Sequence, residues 1–145
     1  MERLISTAQV KPANNQVEVS LNLNQKALIK FCKEHNIAVT GYSPFGNPGN
    51  SRGLDNLWNT TVIQELSCKY NKTPAQVTLR FILQMGSAII SKSVTKSRIK
   101  ENIEIFDFNL TLSETSKIQA LETGNRLITY ESARNDKFYP FNIPY

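Results

Sequence analysis

The sequence of 145 residues has a length typical of one domain, and its 40% hydrophobic and 20% charged residues are ordinary for a soluble globular protein. A net charge of +5 suits an anionic partner such as a phosphorylated cofactor, or else a solvated basic surface. The basic residues are spread through helices rather than clustered in a stripe, which argues against a nucleic-acid-binding module.

The N-terminus lacks a basic region followed by an apolar run, so we expect no signal peptide and a cytoplasmic protein. No apolar stretch approaches the roughly 20 residues of a membrane helix, so we expect no membrane partner. Cys32 and Cys68 lie in segments with helical patterns and apolar neighbours, and we expect both to be reduced, buried thiols. The single histidine, His35, stands at the end of a predicted helix, where a solvated ring is expected, and no ligand cluster surrounds it. The sequence therefore predicts no metal site.

The first third of the chain predicts a strand, a helix and a second strand. Residues 16–19 alternate polar and apolar side chains, as a strand does. Asn24 is the expected N-cap of an amphipathic helix. The apolar stripe of this helix consists of Leu28, Phe31 and Cys32. Residues 37–40 predict a buried strand, and residues 46–53 form a long loop of a kind that is usually functional.

The middle of the chain predicts two helices and a third strand. Residues 62–70 have apolar positions at helical spacing. Residues 73–76 have the pattern of a capping box with proline at the first helical position, and the helix that they begin is apolar on most faces as far as Gln84. Residues 88–90 predict another short buried strand. Short apolar strands that alternate with helices indicate parallel βα units.

The last third predicts two further helices. Thr95 is the expected N-cap of the first, which has apolar residues at helical spacing, namely Ile99, Ile103 and Phe106. The second starts at Ser113, buries Ile118 and Leu121, and ends near Gly124. A closed eight-stranded βα barrel takes ~250 residues, so this chain with its three predicted strands cannot form one alone.

The strongest candidate site follows the third predicted strand. The first turn of a helix presents unpaired N–H groups and a partial positive charge. Lys92 and Arg98 add cationic groups, which together make a phosphate site. The loops after the last strands of βα barrels are the usual phosphate position. The alternative is a solvated helix start with incidental basic residues.

Two other candidates lie on or just past predicted strands. Tyr42 comes just past a strand, where its ring could stack on a flat heterocycle such as nicotinamide or simply cap the core at the rim. The Gln16 amide could pair with a carboxamide, although a polar residue in a strand is more often exposed or paired with a neighbour.

Five ordered motifs carry a resemblance to a known family. They are Asn15-Gln16-Val17-Glu18, Thr40-Gly41-Tyr42-Ser43-Pro44-Phe45-Gly46, Tyr70-Asn71-Lys72-Thr73-Pro74-Ala75-Gln76-Val77, Lys92-Ser93-Val94-Thr95 and Tyr139-Pro140-Phe141, with Arg98-Ile99-Lys100-Glu101-Asn102 and Phe106-Asp107-Phe108 between the last two. In this order they resemble the C-terminal half of an aldo-keto reductase. The resemblance implies an α/β fold, part of a (β/α)8 TIM barrel, in a reductase that uses NADPH to reduce aldehydes and ketones.

The resemblance also implies a role for each matched residue in holding NADP(H). Gln16 is similar to the glutamine that bonds the carboxamide, and Tyr42 to the stacking tyrosine. The pyrophosphate side would be held by Ser43, Phe45 and Asn47. The 2′-phosphate and the adenine would be held by the segment after the third strand, namely Lys92, Ser93, Val94, Thr95, Arg98, Glu101 and Asn102. The chain departs from the family at Asn47, often serine, at Ser91, where the family has proline, and at Leu127-Ile128, where a second arginine is usual.

The family's proton-donating tyrosine and the lysine, aspartate and histidine that assist it are expected on strands that precede this sequence. Residues 1–145 are then the C-terminal portion of a reductase domain that has no catalytic residue of its own and is inactive alone. The complete enzyme is expected to be a monomer acting on a small carbonyl substrate, whereas an incomplete barrel with open sheet edges and an uncovered apolar sheet face is expected to self-associate. The alternative is a non-catalytic half-barrel that binds a nucleotide or a partner chain.

Overall fold

The computed structural model describes residues 1–46 and 56–142, and all of their side chains except that of Asn142. The helices and strands follow in the order α1 (Glu2–Thr7), β1 (Asn14–Glu18), α2 (Lys26–Glu34), β2 (Ala38–Tyr42), α3 (Thr61–Tyr70), α4 (Pro74–Gln84), β3 (Ala88–Ile90), α5 (Lys96–Ile103) and α6 (Leu112–Gln119). Single 3-10 turns occur at Leu57–Asn59, Glu131–Ala133 and Pro140–Asn142.

The three strands form one parallel sheet in the order β1-β2-β3, which confirms the predicted parallel βα units. Within the described residues, β1 and β3 each pair only with β2, so the sheet is an open arc rather than a closed barrel. Parallel strands need a crossover between them. Helix α2 supplies the first crossover, and α3 and α4 lie in the second.

One face of the sheet is covered by helices, and its alternate residues form the core. Val39 is 4% exposed, and Gly41 lies on the same face. A Cβ on Gly41 would come within 2.9 Å of the Val19 Cβ and 3.2 Å of the Ser87 Oγ. Only glycine therefore lets the chain after β1 pack against the second strand at this point.

Helix α4 lies at the centre of the core. Its N-terminus has the predicted capping box, in which the Thr73 hydroxyl accepts from the Gln76 N–H and the Gln76 side chain accepts from the Thr73 N–H. The Gln76 amide also donates to the carbonyls of Glu101 and Glu104, which ties α4 to the end of α5. Fully burying each large apolar side chain stabilises the fold by roughly 1.5–3 kcal/mol. The helix buries Val77, Leu79, Phe81 and Ile82 in this way.

The predicted N-cap of α2 is wrong by one residue. Gln25, with a left-handed φ of 53°, occupies the N-cap position, and its side chain makes no capping bond. Asn24 is 2% exposed and is used elsewhere. Its side-chain amide donates to the Gln119 carbonyl at 3.2 Å, and its N–H donates to the Glu122 carboxylate at 2.7 Å. Tertiary contacts with the end of α6 therefore override the local capping preference.

Two expectations about burial, for Cys68 and His35, are also corrected. Cys32 is buried as expected, but Cys68 is exposed because it lies on the outer side of α3. His35 is half-buried rather than freely solvated, because its ring stacks on Phe31 at 4.2 Å and its Nδ1 lies 2.8 Å from the Phe31 carbonyl oxygen. Helix α5 ends at Ile103, so Phe106 lies beyond it rather than on the predicted helix. The three apolar residues at helical spacing are largely exposed, at 54% for Ile99, 67% for Ile103 and 66% for Phe106.

Helix α6 is shorter than predicted. It begins at Leu112, one residue before the predicted start, with Thr111 as N-cap, and it ends at Gln119 rather than near Gly124. The chain turns at this point because the N–H groups of Thr123 and Gly124 both donate to the Asn22 carbonyl, in the loop after β1. Ile118 is buried as predicted, and Leu121 is partly buried against the core.

Glu114 in the first turn of α6 carries a strongly perturbed carboxylate. Burial by itself would raise the pKa of this group, but hydrogen bonds from Lys69, the Thr111 backbone and Tyr70 outweigh it and hold the pKa at about 2. The Tyr70 hydroxyl donates to the carboxylate at 2.7 Å, and the Thr111 N–H donates at 2.8 Å. The carboxylate thus joins α3 to α6 and closes a capping box.

We expect this carboxylate to make the fold sensitive to acid. Its folded pKa lies below its usual value of 4.5, so its stabilisation is complete above that pH and is lost as the pH falls towards 2. The lowered pKa corresponds to a contribution of about 3 kcal/mol to the free energy of unfolding at neutral pH. Glu114→Gln should lower stability by an amount of this order at pH 7 and flatten the dependence between pH 4.5 and 2. Urea unfolding at a series of pH values measures both effects.

Glu65→Gln is the matched control, because Glu65 is exposed on α3 and forms no ion pair within the described residues. This control should retain the stability and the acid dependence of the wild type. A Glu114→Gln variant as stable as the control at pH 7 would contradict the assignment.

Candidate functional site

The carboxyl ends of the three strands meet at one edge of the sheet. Glu18, Tyr42 and Ile90 are in register there, each as the last residue of its strand. Gln16 and Thr40 form the next row on the same face. Because side chains directly across a sheet point the same way, the predicted nicotinamide-side residues Gln16 and Tyr42 share the face that is not covered by helices. Gln16 is exposed, and its side chain makes no hydrogen bond within the described residues.

Tyr42 is half-buried at this edge, and its ring is held in a polar environment. Burial raises the pKa of the Tyr42 hydroxyl, and the neighbouring Tyr130 and Glu18 raise it further, against a lowering by Arg126. The phenol is therefore neutral throughout the physiological range. A neutral aromatic ring with a partly exposed face suits stacking on a flat heterocycle.

The site residues predicted from the sequence do not include three that act on the Tyr42 hydroxyl, namely Glu18, Arg126 and Tyr130. The last two come from the chain after α6, where the sequence has no periodicity that predicts an element. The Arg126 guanidinium lies 4.3 Å from the centre of the Phe141 ring, and Tyr130 stacks on the same ring at 6.3 Å. The only local signal is the alternation of residues 16–19, which places Glu18 on the same face as Gln16.

The turn after β2 has an unusual backbone conformation. Ser43 has a φ of +51°, in the left-handed region that non-glycine residues rarely adopt, and its carbonyl accepts from the Gly46 N–H at 3.0 Å. Such outliers concentrate at functional sites. Phe45 is half-buried with its ring edge-on to Trp58 at 5.4 Å, so it also has a packing role. Asn47, the third residue predicted for the pyrophosphate side, lies outside the described residues.

The first turn of α5 has no side-chain cap among the described residues. Thr95 is the N-cap, as predicted, but its hydroxyl makes no capping bond. The Ser93 hydroxyl instead accepts from the Thr95 N–H at 3.2 Å, which fixes the turn before the helix. Lys92 and Arg98 are exposed and form no ion pair within the described part of the chain, and Val94 is 89% exposed. Uncapped N–H groups beside two cations are an arrangement that suits an anion.

The two residues predicted to contact adenine lie further along α5. Glu101 and Asn102 are both half-buried. Asn102 lines a pocket of about 170 Å³ between α4, β3 and α5, together with Ser91 from the end of β3. The remaining lining is apolar and consists of Leu79, Leu83, Ile89, Ile103, Ile105 and Phe106. The side chain of Glu101 has no hydrogen-bond partner among the described residues, although its carbonyl accepts from Gln76.

The described residues contain no group of three or more histidine, cysteine, aspartate or glutamate side chains arranged to hold a metal ion. Nor does any helix in residues 1–46 or 56–142 have the length and apolar character needed to cross a membrane.

The described residues form an open arc of parallel βα units, with two exposed cations and a half-buried tyrosine ring at its carboxyl edge. The sequence matches the aldo/keto reductase family over residues 1–123. The chain therefore belongs to the aldo-keto reductase family, as its motifs predicted.

Relatives and solved structures agree with this assignment. The chain is 42% identical over 139 residues to aldo-keto reductase family 1 member D1 of Oryctolagus cuniculus, covering 93% of this chain and 43% of that protein. It superimposes on a Bombyx mori aldo-keto reductase in complex with NADP with a TM-score of 0.90 at 33% identity, over 96% of this chain and 46% of the other. A second aldo-keto reductase, complexed with NADPH, gives a TM-score of 0.92 at 34% identity, over 99% and 45%.

The chain thus spans less than half the length of the proteins that it matches. These neighbours are (β/α)8 barrels, and the open three-stranded parallel sheet is the corresponding part of such a barrel, as the resemblance implied.

Proposed function

We propose that this chain is the cofactor-holding portion of an NADP(H)-dependent reductase that converts aldehydes or ketones to alcohols. Gln16 and Tyr42 hold and stack the nicotinamide, Ser43, Phe45 and Asn47 contact the pyrophosphate, and the start of α5 binds the 2′-phosphate. Glu101 and Asn102 contact the adenine. The cofactor supplies the hydride, and these residues orient it.

One observation above all supports this proposal. The uncapped start of α5, with Lys92 and Arg98 beside it, follows β3 directly, and β3 is in register with the strand that ends at Tyr42. The proposed phosphate site and the proposed stacking ring are therefore at the same edge of one sheet, as a cofactor that spans both would require. The two NADP(H)-bound relatives, which superimpose over nearly the whole chain, provide independent support.

The same assignment leaves the reaction without a proton donor. Carbonyl reduction needs an acid positioned at the oxygen that receives the proton. We propose that the tyrosine that fills this role, and its lysine, aspartate and histidine, belong to a part of the enzyme outside residues 1–145. In this proposal the complete enzyme acts on a small carbonyl compound, whereas this chain by itself binds cofactor without turnover.

We expect the purified chain to show no measurable oxidation of NADPH in the presence of a generic aldehyde. Positioned acid–base catalysis alone contributes about 10²–10⁴-fold to a rate, and the orienting contacts of the missing part are lost as well. The assay follows NADPH absorbance with wild-type chain, Tyr42→Phe and Tyr130→Phe. Turnover by the wild type that disappears in Tyr42→Phe would refute this expectation, because the stacking tyrosine would then be the acid.

A specific observation also supports the alternative of a half-barrel that binds a partner chain. Within the described residues, both sheet edges are unpaired, and the apolar residues of α5 next to β3 are exposed. This second function is compatible with the first, because a partner that completes the barrel would cover these surfaces and leave the cofactor residues in place.

A further inference from the structure

Glu18 is a buried carboxylate that the cofactor assignment does not use. It is 2% exposed, and its two oxygens accept from the backbone N–H groups of Leu127 at 2.8 Å and Ile128 at 3.1 Å. A buried charge is stable only when it is paired or hydrogen-bonded. Two consecutive backbone N–H groups aimed at one anion provide such bonding.

The segment that Glu18 holds has few other ties to the sheet. Among the described residues, these two bonds are the only hydrogen bonds between residues 126–130 and the strands. The Tyr139 hydroxyl donates to the Thr129 carbonyl, and the Phe141 ring contacts both Arg126 and Tyr130, but these contacts lie within the C-terminal segment itself. Loss of the Glu18 bonds would therefore free the segment while leaving the core intact.

The segment of residues 126–130, which Glu18 bonds, lies beside the proposed stacking ring of Tyr42. Glu18 and Tyr42 are register partners at the ends of adjacent strands. Arg126 and Tyr130 both act electrostatically on the Tyr42 hydroxyl, so the segment that Glu18 bonds lies close to this ring. The carboxylate thus links the C-terminal segment to one wall of the proposed cofactor site.

We propose that Glu18 is a positioning residue that fastens residues 126–130 beside Tyr42 and thereby sets the affinity of the site for NADP(H). The affinity part of this inference rests on the proposed function, whereas the fastening itself does not. Glu18 needs no contact with the cofactor in this role, because it acts through the segment that it holds.

The test uses Glu18→Gln in the full chain. Glutamine has nearly the same shape but only one acceptor oxygen, and its NH2 group would face an N–H donor. Because hydrogen bonds to charged groups are the strong ones, the Leu127 and Ile128 amides should exchange about 10- to 100-fold faster in NMR hydrogen exchange. Amides of α4 should keep their rates, and the Kd for NADPH should rise several-fold. Glu34→Gln, at an exposed glutamate of α2 whose side chain is 58% accessible, is the control and should change neither quantity.

Each outcome decides a separate claim. Unchanged exchange at Leu127 and Ile128 overturns the fastening role, and equally faster exchange in α4 shows that Glu18 merely supports the whole fold. Faster local exchange with an unchanged Kd overturns the link to the cofactor site. A wild-type chain that binds no NADPH contradicts the proposed function and the affinity claim with it, while the exchange rates still decide whether Glu18 holds the segment.

Discussion

Replacing Arg98 with alanine should weaken NADPH binding by about 10- to 100-fold and leave NADH binding nearly unchanged. Arg98 lies in the first turn of α5, exposed and without an ion pair among the described residues, so its guanidinium is available to a ligand. The two cofactors differ only in the 2′-phosphate. A charge-assisted hydrogen bond to a phosphate is worth roughly 1.5–3 kcal/mol, and an arginine is a common solution for this group.

Lys100→Ala is the matched control for this substitution. Lys100 is exposed on the same helix, and among the described residues its one ion pair is a surface pair with Glu104 at 3.7 Å. The variant removes the same charge further along the helix, where no contact with a phosphate at the helix start is expected. Isothermal titration of both variants with both cofactors separates the cases. Equal weakening of NADPH and NADH in Arg98→Ala would refute the 2′-phosphate assignment, and equal effects of the two variants would reduce it to net charge.

The purified chain should form dimers or larger species rather than a stable monomer. The sheet is open at β1 and β3 within the described residues. The sheet face that an incomplete barrel leaves uncovered is expected to be apolar. In this structure the uncovered face carries the polar residues Asn14, Gln16 and Thr40. Its large aliphatic residue, Ile90, is 49% exposed. The exposed apolar surface lies instead on α5 and the turn after it, beside the free edge of β3.

This surface can be tested by removing its apolar side chains. Ile103 and Phe106 are about two-thirds exposed, so serine at both positions should cost the isolated chain little stability. If they form the contact between chains, losing their burial should weaken association by at least about tenfold, since each large apolar side chain contributes roughly 1.5–3 kcal/mol when buried. Leu112→Ser is the control, because Leu112 is 89% exposed on α6.

Light scattering over a concentration series, with a thermal unfolding scan, measures the result. The double variant should shift towards monomer, and the Leu112→Ser control should associate like the wild type. A wild-type chain that is a monodisperse monomer with a sharp unfolding transition would contradict the expectation, because the helices would then protect the open sheet without a partner.

Much of the fold can be predicted because its signals are local. The strands at residues 16–19, 37–40 and 88–90 are predicted to within about two residues, since short apolar or alternating runs between helices are typical of buried strands. The capping box at Thr73 follows from four adjacent residues. The N-cap role of Asn24 and the end of α6 are wrongly predicted because their hydrogen-bond partners lie about a hundred residues away in the sequence.

The candidate site likewise has one part that the sequence predicts and another that it does not. Gln16 and Tyr42 are placed on one face by a two-residue period and a parallel register, both of which can be derived from the sequence. The environment of Tyr42 cannot be predicted in this way, because Glu18 meets Leu127 and Ile128 across separations of 109 and 110 residues. The stripe on α5 shows the converse: helical spacing predicts which residues share a face, but not whether anything covers that face.

Calorimetric titration of the wild-type 145-residue chain with NADPH and with NADH measures whether this chain holds the cofactor. We expect one NADPH bound per chain with a Kd at least about tenfold lower than that for NADH, in keeping with a phosphate held by charge-assisted hydrogen bonds. This preference should shrink as salt is added, because the exposed cations at the start of α5 are screened. No binding of either cofactor, or equal affinity for both, would contradict the assignment of this chain as the part that holds NADP(H).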